Sequence, residues 1–148
     1  MSTTTSPPIL SERARALRVL IVEDAEFVHH LYRVAFRRLG LTNVLHAYDG
    51  ASGLETLERE GPVDLVIADI NMPVMDGVEF LNRVRSHPGW ERIHVVVAST
   101  EENSGKVAEL IAAGATSYFQ KPFTLEQIVD VLTKVAESLA QGEKGGRA

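Results

Sequence analysis

Two adjacent acids, Glu23 and Asp24, close the apolar run Val19-Leu-Ile-Val22, and a third acid, Asp69, closes the run Leu65-Val-Ile-Ala68. A hydroxyl, Ser99, ends the run Ile93-His-Val-Val-Val-Ala98, and an ammonium, Lys121, follows Thr116-Ser-Tyr-Phe-Gln120. Carboxylates brought close together raise one another's pKa, and a hard cation relieves the repulsion. Magnesium takes oxygen ligands and is well served by one or two carboxylates plus a phosphate. A hydroxyl and an ammonium at neighbouring positions suit an anion held above Asp69. Taken singly, each residue has an ordinary explanation: Asp24 and Asp69 as helix caps, Ser99 as a turn residue, Lys121 as a surface charge. The chemistry depends on convergence.

Convergence is a matter of the elements that carry these residues. The apolar runs are strand-sized, and Leu65-Val-Ile-Ala68 reads as a strand buried on both faces of a parallel sheet. Between the runs lie helical patterns. Phe27, Leu31, Val34, Ala35 and Leu39 recur at helical spacing and stop at Gly40, a natural C-terminal cap. Asp49-Gly50 opens a helix with Ala51, Leu54 and Leu57 that ends at Gly61-Pro62. The segment from Gly77 to Arg85 carries Val78, Leu81 and Val84, and the next helix carries Val107, Leu110 and Ile111 before Gly114. The last has Ile128, Val131, Leu132, Val135 and Leu139 on one face. Five strand–helix units in strict alternation predict a parallel sheet covered on both faces. Spacing alone leaves the strand order open. The flavodoxin-like order 2-1-3-4-5 would set the ends of the first and third strands side by side, where open α/β sheets bind ligands.

Composition narrows the classes further. The chain has 148 residues, enough for one domain with tails. There is no cysteine, so disulfides, thiolate nucleophiles and Cys-based zinc sites are excluded. The longest apolar stretches are too short to span a membrane as a helix, and Met1-Ser-Thr-Thr-Thr-Ser-Pro-Pro8 lacks the basic and apolar regions of a signal peptide. A net charge of -5 argues against non-specific nucleic-acid binding. Residues 1–16 are expected to be a disordered extension, 17–139 the domain, and 140–148 a flexible tail.

Four elements in this order, Glu23-Asp24, Asp69-x-x-x-Pro73-x-x-x-Gly77, Ser99 and Lys121-Pro122, resemble the receiver domain of two-component response regulators over residues 17–139. Ser99 lies 30 residues after Asp69 and Lys121 a further 22, separations usual for that family. The resemblance is to the stand-alone, chemotaxis-regulator type. It implies a five-stranded parallel sheet in the order 2-1-3-4-5, flanked by five helices. It also implies that Asp69 accepts a phosphoryl group from a phosphohistidine. Magnesium would be held by Glu23, Asp24, Asp69 and the backbone carbonyl of Asn71. Lys121 would pair with the phosphoryl oxygens, Ser99 would hydrogen-bond the attached group, and Tyr118 would be the aromatic that moves with Ser99. Such a protein is not a metabolic enzyme; it catalyses its own phosphotransfer and dephosphorylation. The implied partners are a sensor histidine kinase or histidine phosphotransfer protein and a downstream protein target. The target would meet the face formed by the fourth helix, fifth strand and fifth helix, near Glu102 to Ala113, Tyr118 and Thr124 to Lys134. A cytoplasmic location, no direct nucleic-acid or membrane contact and a phosphorylation-dependent homodimer complete the implication.

Some positions depart from the pattern. Thr100 stands where the family usually has Ala or Gly, and Glu23 replaces the commoner Asp. Asn71 and Glu101 match the pair seen in chemotaxis-type receivers and suggest hydrolysis within minutes. The five histidines, His29, His30, His46, His87 and His94, are expected to be surface or half-buried residues. Other readings are an excised receiver of a longer regulator, a degenerate receiver that takes no phosphate, a flavodoxin-like cofactor binder and a dehalogenase-type phosphatase. The cofactor binder needs a phosphate-cradling loop where Glu23-Asp24-Ala-Glu26 would repel phosphate, and the phosphatase needs an acid where Asn71 stands.

Overall fold

The apolar runs form five strands in the computed structural model, which describes residues 10–61, 63–99, 104–121 and 123–142. They are β1 (Val19–Val22), β2 (Val44–Ala47), β3 (Leu65–Asp69), β4 (His94–Ser99) and β5 (Ser117–Gln120). All pair in parallel, in the order β2-β1-β3-β4-β5. The helices are α1 (Glu12–Arg15), α2 (Glu26–Leu39), α3 (Gly50–Glu60), α4 (Gly77–Ser86), α5 (Ser104–Ala112) and α6 (Leu125–Ala140). Side chains alternate across each strand, so the sheet separates two cores. Val19, Ile21, Leu65, Ile67, Val96 and Phe119 face α1, α2 and α6. Leu20, Val22, Val66, Ala68, Val95 and Val97 face the side of α3 and α4. Because β1, β3 and β4 are covered on both sides, all of their residues are buried. Among the described residues no helix is long and apolar enough to cross a membrane.

Two expectations are corrected here. Among the described residues there are six helices rather than five, because residues 10–16, expected in a disordered extension, are folded. Leu10, Ala14 and Leu17 insert into the core beside Leu39, Leu132 and Ala136, and α1 packs on α6. The Ser11 hydroxyl accepts from the Ala14 amide at 3.1 Å, and Arg15 Nη1 donates to the Leu10 carbonyl at 2.7 Å. A Ser/Thr/Pro-rich beginning thus conceals three apolar anchors. Residues 1–9 and 143–148 lie outside the described residues; Ala140, assigned to the tail, is the last residue of α6.

The second correction concerns which side of α2 faces inward. His29, Tyr32, Ala35, Phe36 and Leu39 are buried, whereas Phe27, Leu31 and Val34 are exposed. The inner face is favoured by aromatic packing: the Tyr32 ring stacks on Phe123 at 4.5 Å and on Phe36 at 5.9 Å. The cost is an apolar strip left on the outside of the helix.

The role of α1 is open to direct test. Leu10 is only 2 % exposed, so Leu10→Ala is expected to lower the unfolding free energy by about 2–5 kcal/mol, as for other buried leucines. Urea denaturation followed by circular dichroism measures it; a change below about 0.5 kcal/mol, the size of a surface substitution, would mean that the segment is not part of the fold.

Candidate functional site

Parallel register brings the acids together. Val22 is level with Ala68 across β1 and β3, so Glu23 and Asp69 leave neighbouring strands at the same edge. Ligand atoms of Glu23, Asp24 and Asp69 all lie within 4.8 Å of one another. Lys121, just past β5, reaches over them: its Nζ is 2.6 Å from Glu23 Oε1 and 3.3 Å from Asp69 Oδ1. The ordinary reading of the acids as helix caps does not hold. The N-cap of α2 is Ala25, with no side-chain cap, and α4 is capped by Asp76, whose carboxylate accepts from the Glu79 amide. Asp24 and Asp69 are therefore available for other work.

Burial shapes the electrostatics. Glu23 and Asp69 are both buried, Asp69 with 7 % of its surface exposed, while Asp24 is open to solvent. Loss of hydration raises the pKa of Glu23 and of Asp69 above the ordinary carboxylate values, and the Lys121 ammonium opposes the rise in each. Among the described residues, three carboxylates against one ammonium leave an excess of negative charge, all of it on oxygen, with one edge reachable from water. That donor set fits a hard divalent cation.

The loop after β3 fixes Asp69. Ile70 donates its amide to the Ala98 carbonyl at 3.0 Å, and the Gly77 amide returns to the Ile70 carbonyl at 2.9 Å. A Cβ at Gly77 would stand 2.7 Å from Ile70 Cα and 2.8 Å from the Asp69 carbonyl oxygen, so only glycine permits this approach. Val74, at the exposed tip, has φ of 68°, an unusual state for a β-branched residue.

The remaining candidates fall around this core. Asn71 is exposed two residues beyond Asp69, and its amide donates to Asp69 Oδ1 at 3.3 Å. Ser99 is buried at the end of β4, where its carbonyl accepts from the Lys121 amide at 2.7 Å. Tyr118 is half-buried within β5, level with Val97, three residues short of Lys121. Thr100, Glu101 and Pro122 lie outside the described residues, as does Glu102 of the expected target face.

One neighbour of the site was not anticipated. His29, expected to be a surface or half-buried residue, has no exposed surface at all (0 %). Its Nε2 is 2.7 Å from the Glu23 carbonyl oxygen and its Nδ1 is 2.6 Å from Nδ1 of His46. The spacing His29, Tyr32, Phe36, Leu39 is itself a helical face and could have revealed it. His94 is also buried, at the start of β4, with Nδ1 3.2 Å from Thr116 Oγ1.

The acid cluster makes a pH-dependent prediction. Since burial raises the Asp69 carboxyl above its unfolded value, folding favours its protonated form. That contribution is complete below the unfolded pKa of about 4 and is lost as pH rises through the folded value. In EDTA, Asp69→Asn is thus expected to be more stable than the native chain at pH 7, on the order of 1 kcal/mol, with the gap closing towards pH 4. Urea midpoints at the two pH values measure it; a variant that is less stable at pH 7 would contradict the assignment.

Comparison with known proteins agrees with this geometry. Residues 19–133 match the family described as response regulator receiver domain. The chain is 31% identical over 123 residues to chemotaxis protein CheY-3 of Vibrio cholerae serotype O1, covering 83% of this chain and 94% of that protein. It is 29% identical over 132 residues to a chemotaxis protein CheY homolog of Campylobacter jejuni, covering 89% and 99%. Among solved structures, that of Vibrio cholerae chemotaxis protein CheY4 superposes with a TM-score of 0.74 at 31% identity, covering 80% of this chain and 98% of the other. Sheet order, acid cluster and family match coincide: the chain belongs to the response regulator receiver domain family.

Proposed function

We propose that this receiver is a phosphorylation-dependent binding switch whose phosphoacceptor is Asp69. The observation that carries the reading is the meeting of Asp69 with Glu23, Asp24 and Lys121 at one sheet edge, with neither Asp24 nor Asp69 engaged in helix capping. An Asp69 carboxylate oxygen attacks the phosphorus of a phosphohistidine; the N–P bond breaks, the imidazole departs, and an acyl phosphate remains. Glu23, Asp24, Asp69 and the Asn71 carbonyl would hold magnesium, which when bound offsets phosphoryl charge. Lys121 needs only to turn its ammonium from the carboxylates to the phosphoryl oxygens to stabilise charge in the transition state.

Attachment of the phosphoryl group would draw in Ser99 and Lys121. Moving a two-state equilibrium from 1:99 to 99:1 takes about 5.5 kcal/mol. Charged hydrogen bonds contribute about 1.5–3 kcal/mol each, so two or three new ones supply most of it. The movement would pass through β4 and β5 to Tyr118 and the face made by α5, β5 and α6, where a protein target or a second copy would bind. The donor, a histidine kinase or phosphotransfer protein, has its own approach. Phe27, Leu31 and Val34 on α2 line a groove of about 500 Å3 with Phe123 and Leu125, and Lys121 is part of the same lining. A protein that brings phosphohistidine to Asp69 covers this strip.

Acetyl phosphate with magnesium should add one phosphoryl group, about 80 Da, absent from Asp69→Ala. Lys121→Met should slow its addition about 10²-fold. Intact-mass spectrometry reads both; an adduct surviving in Asp69→Ala would remove Asp69 from the role, and no adduct with any donor would leave a degenerate receiver. Phe27→Ser with Leu31→Ser should slow transfer from a phosphohistidine protein about tenfold, as loss of an interface anchor does, and leave the acetyl phosphate rate unaltered. Equal loss with both donors would mean damage to the site rather than to docking.

A further inference from the structure

We propose that His29 is a positioning residue for the acid pair at the end of β1, and that His46 fixes the ring form in which it acts. The inference rests on the metal-assisted reading above and concerns residues to which that reading gives no part.

The corner between β1 and α2 is unusual in how it is held. Glu23 still belongs to the sheet edge, since its amide donates to the Ala47 carbonyl at 3.1 Å. Three residues later α2 begins, with Ala25 at the N-cap and no side-chain cap. Two other contacts secure the turn: Glu23 Oε2 accepts from the Ala25 amide at 3.1 Å, and the Glu23 carbonyl oxygen lies 2.7 Å from His29 Nε2. The helix thus reaches back with its own side chain to hold the peptide that links Glu23 to Asp24. Both acid side chains branch from that peptide, one on each side, so fixing its plane fixes the directions in which they leave.

Hydrogen-bond chemistry dictates the ring forms. A carbonyl oxygen only accepts, so His29 Nε2 carries the hydrogen. Its Nδ1 is then a lone pair in the neutral ring, and His46 Nδ1, 2.6 Å away, must be the donor. The order is His46 Nδ1–H to His29 Nδ1, and His29 Nε2–H to the Glu23 carbonyl. Burial favours the neutral form of both rings, lowering His29 from its ordinary value and His46 to about 4. The Tyr48 ring packs against that of His29, 4.1 Å away between centroids. A second histidine on β2 thereby sets the hydrogen that the first offers to β1.

Partners that orient a metal ligand typically contribute 10- to 100-fold to metal affinity. His29→Leu keeps an apolar side chain and removes the donor; His29→Gln places an amide N–H near the position of Nε2. Magnesium titration by calorimetry is expected to show binding weakened about tenfold in His29→Leu and restored to near the native value in His29→Gln. At saturating magnesium, both variants should accept phosphoryl from acetyl phosphate at the native rate, a split that general damage would not produce. Long-range 1H–15N spectra of the native chain in EDTA should show hydrogen on Nε2 of His29 and on Nδ1 of His46. Unchanged magnesium affinity in His29→Leu, or equal loss in both variants, would overturn the proposal and leave His29 a packing residue. The opposite ring forms would overturn it even where His29→Leu fails to fold. Absence of magnesium binding by the native chain would instead overturn the metal reading on which it rests.

Discussion

The Lys121 ammonium joins the ends of separate strands by charge. It stands 2.6 Å from Glu23 on β1's edge and 3.3 Å from Asp69 on β3, while its own backbone is tied to Ser99 at the end of β4. Two buried carboxylates would be hard to keep ionised without it, because each loses hydration and repels the other. The architecture follows from that requirement. Strand order must bring β1 beside β3, β5 must end close enough for a lysine to reach back, and every strand between must be long enough to end at the same level.

This arrangement costs stability and gains chemistry. A sheet edge lined with apolar residues would be firmer, yet it would offer no cluster of oxygen ligands to a cation. The expense is carried by the strands beneath, whose residues are buried on both faces, and by the two cores they separate. The segment that carries α1 adds Leu10, Ala14 and Leu17 to one of those cores, on the side of α2 and α6. Packing of this kind lets the acid cluster persist without disulfides.

Much of this was legible in the chain itself. Apolar runs ending on Glu23, Asp69 and Ser99, with Lys121 after the last, marked the strands and the charged residues that meet at their ends. Their order was not legible from spacing; it came from resemblance, because alternation of strand and helix is common to several sheet orders. The inner face of α2 was misplaced for a physical reason. Phe27, Leu31 and Val34 are the more apolar set, but Tyr32 and Phe36 gain ring packing against Phe123, and His29 finds two hydrogen-bond partners inside. A lone histidine in a sequence carries no sign of a partner 17 residues away. Likewise three apolar residues among charges and serines did not announce α1.

Gly77 has a mechanical consequence. Its backbone rests directly on that of Ile70 and on the Asp69 carbonyl, with no side chain between to yield. The start of α4 and the strand end beneath it therefore move as one solid piece. On the opposite side of Asp69 the contacts are of another kind: Lys121 is tied to Ser99 of β4 by one hydrogen bond and to Glu23 and Asp69 by ion pairs, all of which can be exchanged for others. One flank is set by backbone resting on backbone, the other by contacts that can be traded. A force applied at Asp69 has a direction built into it before any partner arrives.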